Sequence, residues 1–446
     1  MSANDLRSRE PRAEQRLRFQ ISNARVYPLL IAIGYMVLTF LYYLFGPLPW
    51  PSIARFQIIV ILVTSWTALA VGYSLAMRRK VFGFASPEGS VDLSRLVIAG
   101  ALLNAITFPI ALFGFTGSAI GDISFDIASQ GDVYTERYQF LVTGGAGNIQ
   151  FLASLTRAFA APAIFGGLIL GSWKFSSLRS FDKALLAASA FLQIAFSFAR
   201  GTDKEILDLF VFMSLALVSK NGVNWPRLAR NAVLVLVVAG LVLTLFVERR
   251  EARKGELTAC FERVGLCADE DDSLIASLGG DATLFAATEI AIYTTQGYHG
   301  FALAQDLDFQ SSYGLGHAPA LARTIETTTG FSVQERVFPN KLAEKGWDPR
   351  FAWSSLYTFI GNDVSMPLIP LVMLPLGWVF ARSWQHARLD DDSAYVIFSL
   401  LVLLFFYSPA NNQTAVSMEP WLVVVYWSYR WWKSARSRRG IAAPSS

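Results

Sequence analysis

Val26-Tyr-Pro-Leu-Leu-Ile-Ala-Ile-Gly-Tyr-Met-Val-Leu-Thr-Phe-Leu-Tyr-Tyr-Leu-Phe45 runs without a single charge. As an α-helix it would be about 30 Å long, the thickness of a bilayer's hydrocarbon core. Six arginines precede it: Arg7, Arg9, Arg12, Arg16, Arg18 and Arg25. The run exceeds the roughly 7–15 residues of a signal-peptide core and no small-residue cleavage site follows, so it predicts a retained first span.

Nine further apolar stretches follow. Together they predict spans over residues 26–46, 56–77, 95–115, 150–171, 183–199, 204–219, 231–247, 366–381, 394–409 and 417–432. Composition agrees. Of 446 residues 53% are apolar and only 16% charged, against about 45–50% and ~25% in a soluble domain. The net charge of +4 is spread over the ends of the apolar stretches rather than gathered in one patch, which argues against a nucleic-acid partner and for a lipid bilayer. The fold class predicted is an all-α polytopic integral membrane protein.

The loops set an orientation. Arg78-Arg79-Lys80, then Lys174, Arg179 and Lys183, then Lys220, Arg227 and Arg230, then Arg382 and Arg388 alternate with short loops that carry almost no Lys or Arg. Basic loops stay cytoplasmic. Both termini are therefore expected inside, as a basic N-terminus (1–25) and a basic tail (433–446). Seven spans lie within 26–247 and three within 366–432, with a long outer cap over 248–365 between them. In a bacterial inner membrane that cap is periplasmic. Neither an internal repeat nor a low-complexity tract is visible in the sequence.

The cap carries the only two cysteines, Cys260 and Cys267. An oxidising outer compartment would let them form a local disulfide. Metal ligation by them is disfavoured, because no His or further Cys has ligand spacing nearby. Asp281 to Leu307 reads as an amphipathic helix broken near Gly297 or Gly300, and Pro319 to Thr328 as another. Two Asp-x-Asp spacings, Asp269/Asp271 and Asp306/Asp308, read as solvated acids.

Ionisable residues inside spans are costly and point to function. Arg157 falls in the fourth span, about 10 Å below its outer start, and Asp208 about one turn into the sixth. A structural salt bridge and a ligand role are both open to this pair. Arg200 closes the fifth span beside Gly201 and Asp203-Lys204-Glu205. It reads either as an interfacial anchor or as an anion site, since a guanidinium suits bidentate phosphate contacts and a helix N-terminus adds donors. Arg137, ahead of Gly144-Gly-Ala-Gly147, could reach the same surface.

Ser197-Phe-Ala-Arg200-Gly201 ahead of an apolar span resembles the Arg-Gly turn of bacterial O-antigen polymerases and ligases. Arg137 followed by a Gly-rich stretch is similar to the segment before the middle spans of oligosaccharide repeat unit polymerases. Tyr357-Thr-Phe-Ile-Gly-Asn-Asp363 resembles that family's entry into a late span, and Arg350 with Gly361 an Arg-x10-Gly pattern of such polymerases. Where the family usually has Gly after Asp363, this chain has Val364. The resemblance covers roughly residues 90 to 380.

The resemblance implies a membrane-type, GT-C-like glycosyltransferase independent of metal and without a cofactor. It would join undecaprenyl-pyrophosphate-linked oligosaccharide repeat units into a surface polysaccharide, either O-antigen, capsule or exopolysaccharide. A flippase and a chain-length regulator would be its partners. Expelling pyrophosphate develops negative charge, which fixed cations would stabilise. Arg200, Arg157 and Arg137 are the candidates, with Arg336 and Arg350 supplied by the cap and Asp208 beside them. Candidate bases are Glu289, His299 and Asp363. Two other readings stay open: an O-antigen ligase or related lipid-linked glycan transferase, and a non-enzymatic transporter of the same lipid. Against the first, Asn362-Asp363 stands where ligases carry a His–Asn pair. Against the second, transporters show repeats and mid-membrane charges.

Overall fold

A computed structural model describes residues 25–79, 90–142, 147–219, 225–254, 258–269, 274–349 and 352–442. These residues form fifteen α-helices and one short hairpin. The first eight helices are α1 (Tyr27–Phe45), α2 (Arg55–Arg78), α3 (Leu93–Thr116), α4 (Gln130–Val142), α5 (Gly147–Trp173), α6 (Ser180–Ala199), α7 (Lys204–Ser219) and α8 (Trp225–Lys254). The hairpin pairs β1 (Cys260–Phe261) with β2 (Leu266–Cys267), and a disulfide joins Cys260 to Cys267. Then come α9 (Leu274–Ala304), α10 (Pro319–Thr329), α11 (Phe338–Lys341), α12 (Leu356–Val364), α13 (Ile369–Ala387), α14 (Asp392–Tyr407) and α15 (Met418–Ala442).

Every predicted apolar stretch falls largely on a helix. Six helical segments are long and apolar enough to cross a membrane: α1, α2, α3, Ile149–Trp173 of α5, α6, and Met366–Ala387 leading through α13. α14 is apolar but shorter. The surface carries the same message. Leu38, Phe56, Ile106, Phe159 and Leu236 are among the many large apolar side chains left exposed, while Ser65, Asn104, Arg157 and Gln193 are buried. Apolar outside and polar inside suits a helix bundle solvated by lipid, where polar groups must find partners within the protein. The chain is a helical membrane protein.

Small residues set the closest helix contacts, as lipid-embedded packing requires. A Cβ on Gly72 would lie 1.9 Å from the Leu374 carbonyl oxygen, and one on Gly377 2.1 Å from that of Leu69. These reciprocal contacts make α2 and α13 an intimate parallel pair. Gly100 meets the Ala163 carbonyl oxygen and Gly114 meets Ala153, which brings α3 and α5 equally close as an antiparallel pair.

The helices have two common ends. At one end Lys174 and Val91 both reach Asp392, at 2.5 and 3.0 Å, and Arg78, Arg382 and Arg388 lie on helix ends nearby. This is the basic end. The other end gathers the C-termini of α1, α3, α6 and α14 with the N-termini of α2, α5, α7 and α15.

The segment read as a cap packs into this second end. The Tyr298 hydroxyl bonds the Met36 carbonyl at 3.2 Å, and the Tyr357 hydroxyl accepts from Trp66 Nε1 at 2.6 Å. Met36 and Trp66 sit near the middles of α1 and α2, so α9 and α12 reach about half-way down the bundle. The break expected near Gly297 or Gly300 is instead at Gly280, whose φ of 68° interrupts the helix. Gly297 and Gly300 are helical. Their missing side chains admit the Pro409 carbonyl and the Trp347 indole, so these two glycines serve close packing.

A basic cluster and a histidine dyad form the candidate functional site

The turn between α6 and α7 is the root of the site. Gly201 takes a φ of +58° against Tyr134 of α4, which closes the turn within a single residue. Arg200, at the end of α6, then meets Glu205 in the first turn of α7 at 2.5 Å. Thr202 gives the same carboxylate a second bond at 3.1 Å. Arg137 of α4 donates to the Arg200 carbonyl at 3.2 Å.

Arg157 joins this cluster from α5. Its side chain is 3% exposed and pairs with Glu419 of α15 at 3.1 Å. It also donates to Gln193 at 3.3 Å, and Gln193 in turn donates to Asn104. Its guanidinium lies 4.5 Å from the Phe196 ring centre, and that of Arg200 lies 5.1 Å from the same ring. One aromatic ring thus contacts two cations, an arrangement favoured by the ring quadrupole. Lys204 pairs with Asp208 at 2.8 Å, and Asp208 faces Tyr407 at the end of α14. Arg249, fully buried, meets Asp203 at 3.0 Å and donates to Gln130 at 2.8 Å.

Of the residues expected to act together, Arg137, Arg157, Arg200 and Asp208 are therefore brought into one network. Asp208 takes Lys204 as its ion-pair partner, while Arg157 takes Glu419. Four of these cations pair with carboxylates here: Arg157 with Glu419, Arg200 with Glu205, Lys204 with Asp208 and Arg249 with Asp203. Alongside, Arg250 and Lys254 flank Glu289 at 3.9 and 2.6 Å. Glu289 is 1% exposed and committed to these cations, which suits a structural counter-ion rather than a base.

Two apolar cavities lie on the way to this cluster. A cavity of about 280 Å³ lined by Tyr27, Ile31, Leu215 and Phe398 adjoins one of about 190 Å³ lined by Leu207, Phe246 and Tyr407. Tyr35 and Phe406 line both and stack on each other, ring centres 5.4 Å apart. The first cavity begins near the basic end, at Tyr27, and the second finishes at Tyr407 beside Asp208.

The second constellation centres on Asp363, at the end of α12. Its carboxylate accepts from Gly316 N at 2.8 Å, His317 N at 3.0 Å and Ser312 Oγ at 2.5 Å. His317 Nδ1 lies 2.8 Å from the remaining lone pairs. Burial alone would raise this carboxyl's pKa, but the bonds from His317, Ser312 and Gly316 outweigh it and hold the group below its usual value. Asp363 is 12% exposed and His317 48%. A buried carboxylate thus fixes the tautomer and direction of a half-exposed imidazole. Asn362 ties the same loop down, taking Phe338 N at 2.7 Å and donating to the Gly316 carbonyl.

The other cap candidates fare differently. His299 is buried between Trp50 and Trp347, ring centres 5.0 and 5.1 Å away. Burial pushes its pKa down to about 4, so it is a neutral core group at ordinary pH. Arg336 lies over Tyr313 and Phe331, 5.2 and 5.6 Å from their ring centres, away from the basic cluster's ion pairs. Arg350 and Asp271 lie outside the described residues, and Asp306 and Asp308 are exposed.

One segment touches both constellations. Tyr407 faces Asp208, Asn412 Nδ2 donates to the His317 carbonyl at 2.6 Å, and Glu419 pairs with Arg157. Basic cluster and dyad therefore share the same end of the bundle. His317, Arg249, Gln193 and Glu419 were not picked out from the sequence. His317 carried a faint signal, as one of only three histidines and placed in a Gly-rich turn.

Fold and site together define a helical membrane protein with buried charge at one end. No family model, curated protein or solved structure matches the chain.

Proposed function

We propose that the protein is a membrane glycosyltransferase that polymerises undecaprenyl-pyrophosphate-linked oligosaccharide repeat units at the outer face of a bacterial inner membrane. On this reading the ten apolar helices span, both termini are cytoplasmic, and residues 248–365 face the periplasm. The observation that supports it is the pair of apolar cavities that ends at Tyr407, beside Asp208 and the arginine-rich network around it. A polyprenyl chain fits the cavities and a pyrophosphate the arginines, and an undecaprenyl-pyrophosphate carrier joins the two in one molecule.

In the reaction the acceptor hydroxyl gives its proton to His317 Nε2 while its oxygen bonds the donor's anomeric carbon. The bond from that carbon to the pyrophosphate oxygen breaks, and undecaprenyl pyrophosphate leaves with the electron pair. Arg200, Arg157 and Arg137 stabilise that developing charge in a water-poor site. Asp363 keeps the proton of His317 on Nδ1, so that Nε2 is free to act as base. Glu289 and His299 take structural roles, and Arg336 belongs to the cap surface.

The test incubates purified protein with lipid-linked repeat units from its source strain, with chelator present, and runs the products on a gel. A ladder of multiples supports the reading. No new product, while the same lipid crosses the bilayer of reconstituted vesicles, makes the protein a transporter instead.

A further inference from the structure

Arg157 and Arg200 each already hold a carboxylate of this chain, so an incoming anion must displace one to reach them. The carboxylates of the cluster are not held alike. Asp203, Glu205 and Asp208 are 6–7% exposed. Glu205 takes both Arg200 and Thr202, Asp208 meets Lys204 and Tyr407, and Asp203 sits against the fully buried Arg249. Glu419 differs. Its side chain is 20% exposed, and among the described residues it bonds Arg157 Nε alone. It stands in the first turn of α15, where the free N–H groups of a helix favour an anion. It also acts on Lys204 through space, so it lies in the field of two cations.

Arg157 lies behind Glu419, 3% exposed. Gln193 and the Phe196 ring hold its guanidinium independently of that carboxylate. Arg200, 20% exposed, reaches the same ring. Two guanidiniums on one ring, one open and one covered, suit an anion with two phosphoryl groups. Nor does α15 depend on the ion pair for its place against α5. Trp427 donates to the Pro162 carbonyl at 3.0 Å, and its indole fills the space left by Gly166.

We infer that Glu419 is a displaceable stand-in for a diphosphate: it covers Arg157 until substrate arrives and cedes the guanidinium to the incoming pyrophosphate group. Naming that group as the lipid carrier's rests on the glycosyltransferase reading. The exchange of carboxylate for diphosphate at Arg157 does not. A diphosphate brings more charge and more acceptor oxygens than a carboxylate, so it can win the exchange. A contact closed about nine-tenths of the time lowers apparent affinity about tenfold, which makes Glu419 a filter against weaker anions.

The experiment reads binding rather than polymer. Protein in phosphatidylcholine nanodiscs is titrated with inorganic pyrophosphate by calorimetry at constant ionic strength, with orthophosphate and phosphatidylglycerol nanodiscs as separate series. Glu419→Gln should bind pyrophosphate about tenfold more tightly than wild type, and the ligand should raise its thermal midpoint more than the wild type's. Glu419→Asp, one methylene shorter and still charged, should gain in the same direction by less, and carries the test should the glutamine variant not fold. Adding Arg157→Met to Glu419→Gln should abolish the gain. Equal pyrophosphate affinity in wild type and the folded variants, or a gain that survives Arg157→Met, overturns the exchange. A gain produced equally by orthophosphate or by phosphatidylglycerol overturns the diphosphate assignment. Tighter pyrophosphate binding with no polymer ladder leaves the exchange standing and removes the polymerase. A ladder with unchanged binding in the variants does the reverse.

Discussion

Asp363→Asn is the sharpest test of the dyad. The carboxylate meets four donors: Gly316 N, His317 N, Ser312 Oγ and His317 Nδ1. An amide oxygen in the same place can keep two of them. Its NH2 group then faces the other two, where two donors oppose each other. The imidazole answers by turning Nδ1 into the acceptor, which moves its proton to Nε2 and blocks it as a base. General-base catalysis contributes about 100- to 10,000-fold, so turnover should fall by that factor, a barrier increase of about 3–5 kcal/mol. Stability should fall as well, by about 1.5–3 kcal/mol for each charge-assisted bond lost. His317→Ala makes the comparison. It removes the base but leaves Asp363 its other three donors, so the rate loss should match and the stability loss should be smaller. The assay is initial ladder formation from lipid-linked repeats, paired with thermal unfolding in detergent. Acid unfolding adds a signed check. Because the folded carboxyl titrates below its ordinary 3.8, its contribution is full above the ordinary carboxylate range and is lost as pH falls through the folded value. Asp363→Asn should flatten that limb. Folded variants of both residues with wild-type turnover would refute the dyad's role.

Arg200→Ala should insert normally and lose at least about 100-fold in polymer formation, as a lost charge-stabilising donor does; wild-type polymer from well-expressed variant removes Arg200 from the mechanism. Glu419→Gln leaves Arg157, 3% exposed, without its carboxylate, and should cost about 3–5 kcal/mol, read as a fall in thermal midpoint that Arg157→Met with Glu419→Gln partly recovers. His299, lowered from 6.5 to about 4 by burial, binds more protons unfolded than folded between those values. Stability should therefore drop as pH falls from 6.5 towards 4, by up to about 3 kcal/mol, and His299→Phe should abolish that part of the drop in a pH series of melts. Replacing Cys260 and Cys267 by Ser frees the hairpin whose Phe261 packs on Trp50 and Trp347, and a loss of about 2–3 kcal/mol should appear in the same melts, equal to that of the reduced wild type.

The helices were legible because a lipid-facing helix must be apolar for about twenty residues, and Val26 to Phe45 states that without help from any neighbour. Arg157, Arg200 and Asp208 were legible for the same reason, since charge inside such stretches is conspicuous. Their partners were harder. Glu419 stands at the edge of its helix, where a carboxylate excites no notice, and Arg249 sits in Glu248-Arg-Arg-Glu251, which reads as a solvated run. Only the packing of α8 against α4 and α7 shows it to be fully buried. His317 illustrates the larger gap: it and Asp363 are 46 residues apart, and no local pattern records a pairing across that distance. The same holds for α9. Its glycines look like helix breakers until Pro409 and Trp347 are seen to need the space.

The depth to which α9 and α12 descend has a consequence for the order of events at the ribosome. The Met36 carbonyl waits for Tyr298, 262 residues later, and Trp66 for Tyr357, 291 residues later. At about 5–20 residues per second of synthesis, the first two helices stand in the membrane for roughly 10–60 s before those partners exist. During that interval Thr39, Trp50 and Trp66 lack the groups they finally bond, and the wedge they will receive is an open cleft between two helices. The second half of the chain therefore completes the first, and a chain that stops before residue 298 leaves an unfinished pair for membrane quality control to find.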